Sequence, residues 1–178
     1  MLGYRMPREP STPRLVVWRR LRRLGVAQPV DGLAVLPQTP RTREALDWVA
    51  GRVLEAGGQA TLWTATYAAP AQEHAVMEVM TASVAAEYAA LACDADAAAG
   101  QAQAAQELAV LRRAPARLGR ALAEVQSRDY FGAPGRREAE RAVTALAAAR
   151  RAPRQVTREV GDPHRSARGP DGLRLVDP

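Results

Sequence analysis

Proline and glycine divide the first 70 residues of this 178-residue chain into short segments, and they are sparse between residues 71 and 131. Short segments bounded by such turn residues are typical of alternating strands and helices. Leu, Val, Trp and Tyr concentrate between residues 15 and 91, whereas alanine dominates afterwards. The length suffices for one compact domain with an appendage. We therefore expect a small core in the first part and a helical region behind it.

The first segments predict a strand followed by a helix. Residues 2–6 are expected to form the strand, and a proline-rich turn comes next. Ser11 or Thr12 is expected to cap a helix that has Pro13 at its first position, where its missing N–H costs nothing. Gly25 suits the C-cap of this helix, because glycine adopts the left-handed conformation readily.

The next two apolar runs predict a hairpin. Residues 26–30 and 33–36 are separated by Asp31-Gly32, a dipeptide typical of tight turns between strands. Pro29 has no N–H to donate to a neighbouring strand. The first of these two strands is therefore expected at an edge of the sheet.

A second helix and a further strand complete this part of the chain. Thr39 and Pro40 are typical of a helix start, and Gly57-Gly58 of a helix stop. Residues 59–67 alternate and are rich in Thr, Trp and Tyr, which predicts a strand. The order of strand, helix, strand, strand, helix, strand predicts an α+β fold, the ferredoxin-like βαββαβ arrangement with both helices on one face of a four-stranded antiparallel sheet.

Three regions are therefore expected along the chain. Residues 1–69 form the ferredoxin-like domain, and residues 70–152 form an antiparallel helical hairpin or three-helix cap that covers its open sheet face. Residues 92–106 suit the turn between two of these helices, and Pro115 predicts a kink or break. Residues 153–178 are rich in Pro, Gly and Arg with little to bury, which predicts a disordered tail.

Positive charge is concentrated at the amino end. Residues 1–25 hold seven arginines and one acid, Glu9, a surplus equal to the formal net charge of +6 for the entire chain. The chain lacks Lys, Ile and Asn, which indicates a GC-rich, bacterial genome, so the placement of the arginines is more informative than their number. A local cationic surplus attracts phosphates. We predict a nucleic-acid-binding surface made of Arg5, Arg8, Arg14, Arg19, Arg20, Arg22 and Arg23.

Two other interpretations of these arginines stay open. On a helical wheel Arg19, Arg20, Arg22 and Arg23 share one side, so they could simply be a solvated helix face, or they could bind an acidic protein partner. No helix-turn-helix pattern is evident, so base-specific contacts are not expected.

The three tryptophans are expected in the core. Trp18 and Trp48 lie on the predicted core faces of the two helices, and Trp63 lies on the predicted core face of the last strand. Aromatic side chains at such positions usually pack inside.

Several classes of function are not expected. Cys93 is the single cysteine, and the two histidines lie far apart in the sequence, so no disulfide, metal site or cofactor is expected. No Ser/His/Asp or Cys/His set is available for catalysis, so we expect no enzyme. Residues 1–6 lack the apolar run of a signal peptide, and no run is judged long enough to span a bilayer, which favours a cytoplasmic protein.

Three segments in order resemble one known family. "YRMPREPSTPRLVVWRRLRRLG", "DGLAVLPQTPRTREALDWVAGRVLEAGGQATLW" and "SRDYFGAPGRREAE" are similar to the N-terminal domain of the chromate resistance protein ChrB, over roughly residues 3–150. The resemblance implies a transcriptional regulator that binds the operator of a chromate-efflux operon, with chromate as effector. It also implies a distant relation to the ferredoxin-like domain of PaaX-type repressors. A palindromic operator would require a homodimer.

The resemblance also carries two qualifications. Full-length members have a further C-terminal domain to which chromate sensing is assigned, and it is absent from this sequence. Small nucleases of the related fold hold a metal with an aspartate at the end of the first strand, where this chain has Arg5-Met6-Pro7. A cationic side chain would repel that metal, which again argues against an enzyme.

Chromate is a tetrahedral dianion, and arginine forks near a helix start suit such an ion. The segment "FGAPGRRE" and the arginine before it predict an anion site made of Arg128, Gly135, Arg136 and Arg137. In the alternative interpretation the turn is structural, with Asp129 as a cap and with Tyr130 and Phe131 packed against the helices.

Overall fold

The computed structural model of the chain describes residues 1–104 and 108–149, and within them it has three short strands and five helices. In chain order these are β1 (Leu2–Arg5), α1 (Ser11–Leu24), β2 (Leu33–Ala34), α2 (Pro40–Glu55), β3 (Gln59–Leu62), α3 (Pro70–Ala104), α4 (Leu108–Gln126) and α5 (Arg136–Ala149).

The sheet has the order β2-β1-β3, and both neighbours are antiparallel to the central β1. Leu2 lies opposite Ala34 on one side and Leu62 on the other. The outer strands β2 and β3 are therefore parallel to each other, and α2 connects them across β1. The predicted ferredoxin-like fold is wrong, because the chain is mostly helical with a small three-stranded sheet.

The missing strand is the one predicted for residues 26–30. Only Ala27 of this run pairs, in a single antiparallel bridge with Val35 whose two N–O distances are 3.0 and 2.8 Å. Pro29 lacks a donor and Val30 is exposed, so the run can neither extend the ladder nor bury a face. The physical reason for the smaller sheet is thus local.

The two helices of the first part differ in how they begin. α1 starts at Ser11 after Pro10 and has no side-chain cap, so the predicted Ser11 or Thr12 cap is wrong. α2 starts at Pro40 as predicted, and Thr39 and Thr42 form a reciprocal capping box with N–O distances of 3.1 and 3.0 Å.

The core of the first part lies between the sheet and these helices. Leu2 of β1 packs with Val17 and Leu21 of α1 and with Val49 and Val53 of α2, all of them at most 2% exposed. Burial of such side chains stabilises a fold by about 1.5–3 kcal/mol each. This core fixes which side of α1 faces inward.

α3, α4 and α5 pack on one another as a three-helix bundle. Its centre is formed by Tyr88, Leu118 and Leu146, each at most 1% exposed. α3 continues through residues 92–104, so the turn predicted for residues 92–106 is wrong over most of its length. Alanine favours helix more than any other residue, and the buried alanines of this stretch contact the bundle core.

The open face of the sheet is not covered by the bundle. Arg5, Gln59, Thr61 and Trp63 share this face by strand alternation, and all four are exposed. The bundle instead contacts the first part through Val76, Met80 and the turn after α4, which join the core beside α1 and α2. The predicted cover of the sheet is therefore wrong.

By length and composition alone, residues Pro70–Ala102 of α3 could cross a membrane, so the expectation that no run is long enough is wrong on that criterion. A single such helix is weak evidence, because core helices pass the same test, and α3 packs against both α4 and α5. Pro115 lies inside α4 without ending it. The predicted tail at residues 153–178 lies outside the described residues, and the boundaries of the three predicted regions stay predictions.

Candidate nucleic-acid interface

α1 presents most of its arginines to solvent. Val17 and Leu21 point into the core, and at 100° per residue the opposite side of the helix carries Arg19 and Arg23. Four arginines of the helix are exposed and Arg20 is partly buried. The exposed ones are Arg14, Arg19, Arg22 and Arg23.

Within the described residues, one carboxylate, that of Glu124, lies close enough to pair with an arginine of this face. Arg23 lies 3.4 Å from Glu124 of α4, measured from Nε to Oε1, and both side chains are at least half exposed. Within residues 1–104 and 108–149, none of the other six predicted arginines has a carboxylate oxygen within 4.0 Å. The positive charge of α1 is therefore available to an external anion.

The tryptophans of this region are not core residues. Trp18 and Trp48 are each 47% exposed, and Trp63 is 50% exposed. The prediction of three buried indoles is wrong because Trp18 and Trp48 lie at the margins of the buried stripes of their helices and Trp63 lies on the open face of the sheet. Arg14 and Arg22 lie four residues before and after Trp18, so they neighbour it on the helix surface. This spacing in the sequence already indicated that Trp18 is exposed.

Arginine side chains lie over the exposed indoles. The guanidinium carbon of Arg22 lies 5.1 Å from the ring centroid of Trp18, and that of Arg20 lies 5.3 Å from the ring centroid of Trp48 on α2. Arg52 lies over Trp48 as well, at 5.9 Å. Cation–π contacts orient a guanidinium without cancelling its charge. The surface is thus a mixture of fixed cations and half-exposed aromatic rings.

The remaining predicted arginines precede α1. Arg5 ends β1 opposite Gln59 on the open sheet face, and Arg8 lies in the proline-rich turn. Both are exposed. They add charge on the amino-terminal side of the helix, whereas Arg23 lies at its carboxyl end.

The carboxyl end of α1 is held by the turn that follows α4. Gly25 caps the helix in the left-handed conformation (φ +66°), and an added Cβ there would lie 3.2 Å from the side chain of Arg128. The hydroxyl of Tyr130 donates to the carbonyl oxygen of Leu24 at 2.9 Å, and its burial raises the pKa of Tyr130. The orientation of the arginine face is therefore tied to the bundle.

Arg128 is engaged inside the protein. Its two terminal nitrogens donate to both carboxylate oxygens of Glu87 on α3 at 2.5 Å, and its side chain is only 15% exposed. Bidentate pairing of this kind satisfies most of the donors that an anion would need. Sequence reasoning could not find this pair, because 41 residues separate the two partners.

The other members of the predicted anion site are dispersed. Arg136 donates to Glu140 at 3.0 Å, while Arg137 and Gly135 are exposed. Asp129 accepts from the N–H of Ala133 at 2.8 Å, which is a capping role. The geometry favours the structural interpretation of this turn, and anion binding there stays a prediction.

A cavity of about 370 Å³ lies between the first part and the bundle. Its lining mixes apolar side chains such as Leu36, Leu62 and Met80 with polar ones such as Thr42, Arg43 and Glu73. A doubly charged oxyanion prefers several converging hydrogen-bond donors, and none of the predicted residues Arg128, Gly135, Arg136 and Arg137 lines this cavity. The cavity therefore adds nothing to the predicted chromate site.

Comparison with known proteins identifies one family that the chain matches. The family model described as "Protein ChrB, N-terminal" matches residues 14–157, which include the arginine helix, the bundle and the turn after α4. No curated protein and no solved structure matches the chain. The match covers well over half of the sequence and links the chain to chromate resistance. The chain therefore belongs to the family of the N-terminal domain of protein ChrB.

Proposed function

We propose that the chain is a DNA-binding regulator of chromate resistance, and that the outward face of α1 contacts the phosphate backbone. The observation that carries this proposal is the set of exposed arginines that no carboxylate of the described chain neutralises, apart from the Arg23–Glu124 pair. Family membership supports the link to chromate-dependent regulation.

The physical basis is the release of counterions. Each arginine that neutralises a phosphate frees condensed cations, so the logarithm of the binding constant falls linearly with the logarithm of the salt concentration. Guanidinium groups also bind phosphate with two parallel hydrogen bonds. Contacts of this kind position a protein on DNA without reading its sequence.

A second candidate function is a protein-interaction module. Leu15 and Trp18 are 48% and 47% exposed within the arginine face, and Trp and Arg are the residues enriched at the centres of protein interfaces. An acidic partner protein would complement this surface as well. The charge surplus of the amino end favours a polyanion over a single acidic patch.

The partner and effector predictions remain proposals. A two-fold operator would require a homodimer. Direct binding of chromate to this chain is a separate question, which calorimetry with chromate against sulfate would answer.

The test is a fluorescence-anisotropy titration of a labelled duplex from the promoter of the chain's own operon at several salt concentrations. We expect Arg19→Gln/Arg22→Gln to weaken binding and to make the salt slope shallower by about 2, one unit for each lost phosphate contact. The purified chain is used at its full length.

The matched control is Arg120→Gln/Arg141→Gln. These two exposed arginines lie on the bundle, and neither pairs with a carboxylate in the described part of the chain. The control removes the same charge elsewhere and should leave the slope near that of the unmodified chain. Equal effects of both double variants would refute the assignment to α1, and no binding at low salt would favour the protein-interaction module.

A further inference from the structure

We propose that unpaired nucleic-acid bases stack on Trp18 and Trp48, so that the arginine face binds single-stranded or locally opened DNA through its bases as well as its phosphates. This inference rests on the proposed function, because it requires the same arginines. Contacts to the phosphate backbone alone would not distinguish single-stranded from double-stranded DNA, whereas base stacking would.

The two rings lie on opposite flanks of α1. Arg20 and Arg22 are two positions apart, which separates them by 200° around the helix. Arg22 lies over Trp18 on its own helix, whereas Arg20 lies over Trp48 of α2 on the other flank. Arg19 projects between the two flanks and is exposed. A cationic ridge is therefore bordered by an indole on each side.

Each ring retains surface for a stacking partner. Both indoles are 47% exposed although arginines already lie over them. Trp18 has one guanidinium over it, that of Arg22, and Trp48 has two, those of Arg20 and Arg52, so a base would stack on the part of each ring that stays exposed. Stacking of a base on an aromatic side chain tolerates any base, because every base has a π face.

The spacing suits a flexible strand. An α-helix with its side chains is about 10–12 Å across, a width that a few nucleotides of single strand can cross. Proteins that bind single strands combine a positively charged track with aromatic platforms in this way. In an intact duplex the bases stack on one another, so the indoles would find no free base.

The groove between the two helices belongs to the same surface. It has a volume of about 210 Å³ and is lined by Pro13, Val16, Arg52 and Glu55. Arg52 lies over Trp48 while also pairing with Glu55 at 2.6 Å. Charge complementarity thus favours a nucleic-acid strand over an apolar peptide, since Arg19 and Arg20 lie on this side of α1 without carboxylate partners in residues 1–104 and 108–149.

The experiment uses three labelled ligands with the full chain: a deoxythymidine 12-mer, an abasic 12-mer with the same phosphates, and a 12-base-pair duplex. We expect the deoxythymidine strand to bind about tenfold more tightly than the abasic strand. Trp18→Leu and Trp48→Leu keep apolar volume but remove the ring. They should each reduce this preference several-fold, without changing the salt slope or the affinity for the duplex.

Trp63→Leu is the matched control. Trp63 is 50% exposed on the open sheet face, over Gly3, and lies away from the α1 ridge. Its substitution should leave all three affinities unchanged. A melting curve of each variant establishes that it is folded before its binding is compared.

The outcomes separate the two proposals. Equal affinity for the deoxythymidine and abasic strands, with salt-dependent binding that needs Arg19 and Arg22, would overturn base stacking and leave the proposed function standing. Loss of binding in Trp63→Leu equal to that in Trp18→Leu would overturn the location. Absence of binding to all three ligands at low salt would overturn both proposals.

Discussion

Tyr130 donates a hydrogen bond to the main-chain carbonyl of Leu24, which lies 106 residues earlier in the chain, at 2.9 Å. This bond satisfies one of the carbonyl groups that the end of a helix leaves without a partner. It also joins the arginine helix to the turn that connects α4 with α5. The two parts of the molecule therefore meet at the carboxyl end of α1.

Removing this hydroxyl should destabilise the protein measurably. Tyr130→Phe leaves the carbonyl of Leu24 partly buried without its donor, and we expect a loss of about 1 kcal/mol in the free energy of unfolding. Urea denaturation followed by circular dichroism measures it. Tyr4→Phe is the comparison, because the Tyr4 hydroxyl accepts only from the exposed amide of Gln28, and it should cost less. A larger loss for Tyr4→Phe would contradict the role given to Tyr130.

The pair of Arg128 and Glu87 should be the most costly ion pair to break. Glu87→Gln removes the charge that balances a guanidinium only 15% exposed, and we expect a loss of about 2 kcal/mol. Asp94→Asn is the control, because Asp94 and Arg117 are both more than half exposed and 3.9 Å apart. That substitution should change stability by less than about 0.5 kcal/mol. Similar losses in the two variants would show that Arg128 finds another partner.

Signals that depend on neighbouring residues were predictable from the sequence. Thr39 and Pro40 marked the start of α2, and Gly25 marked the end of α1, because capping is decided within one turn of helix. The placement of the arginines on α1 also predicted that most of them are exposed, since Arg19, Arg22 and Arg23 lie away from the buried stripe of that helix. Arg20 is the partial exception, because it folds over Trp48.

Several of the features that failed depend on distant parts of the chain. Two failures are local instead: Pro29 lacks the N–H that a strand over residues 26–30 would need, and the cap predicted at Ser11 or Thr12 is absent. The exposure of Trp48 depends on where α1 and Arg20 come to lie. The sequence could not show that Glu87 competes with an anion for Arg128, because these two residues come together only when the bundle forms. Tertiary contacts of this kind leave no periodic trace in the sequence.

Two glycines with positive φ should respond differently to alanine. Gly32 has φ +76° and an added Cβ would lie 2.6 Å from the carbonyl oxygen of Tyr4, whereas Gly57 has φ +74° with open space around it. Gly57→Ala should cost about 1 kcal/mol from backbone strain alone. Gly32→Ala adds a clash with a backbone atom, and that clash would disrupt the 2.7 Å hydrogen bond from the N–H of Tyr4 to the carbonyl oxygen of Gly32. The loss in the free energy of unfolding should therefore be at least twice that of Gly57→Ala. Thermal unfolding of both variants measures the difference, and equal losses would contradict the close approach at Gly32.

The buried hydroxyl of Tyr88 should make stability fall at alkaline pH. Burial, followed by its 3.1 Å hydrogen bond to Asp129, raises the pKa of Tyr88 from 10 to about 12. Above pH 10 the unfolded chain loses this proton while the folded chain keeps it, so the stabilisation is complete below pH 10 and is lost as the pH rises toward 12. Urea midpoints between pH 8 and 12 should therefore fall less steeply in Tyr88→Phe than in the unmodified chain, although the variant is less stable at pH 8 because Asp129 loses a donor. The fall in stability that remains in Tyr88→Phe comes from the other tyrosines with raised pKa values, Tyr4, Tyr67 and Tyr130. If the plots of urea midpoint against pH were parallel for the two proteins, the Tyr88 hydroxyl would titrate in the folded protein as it does in the unfolded chain.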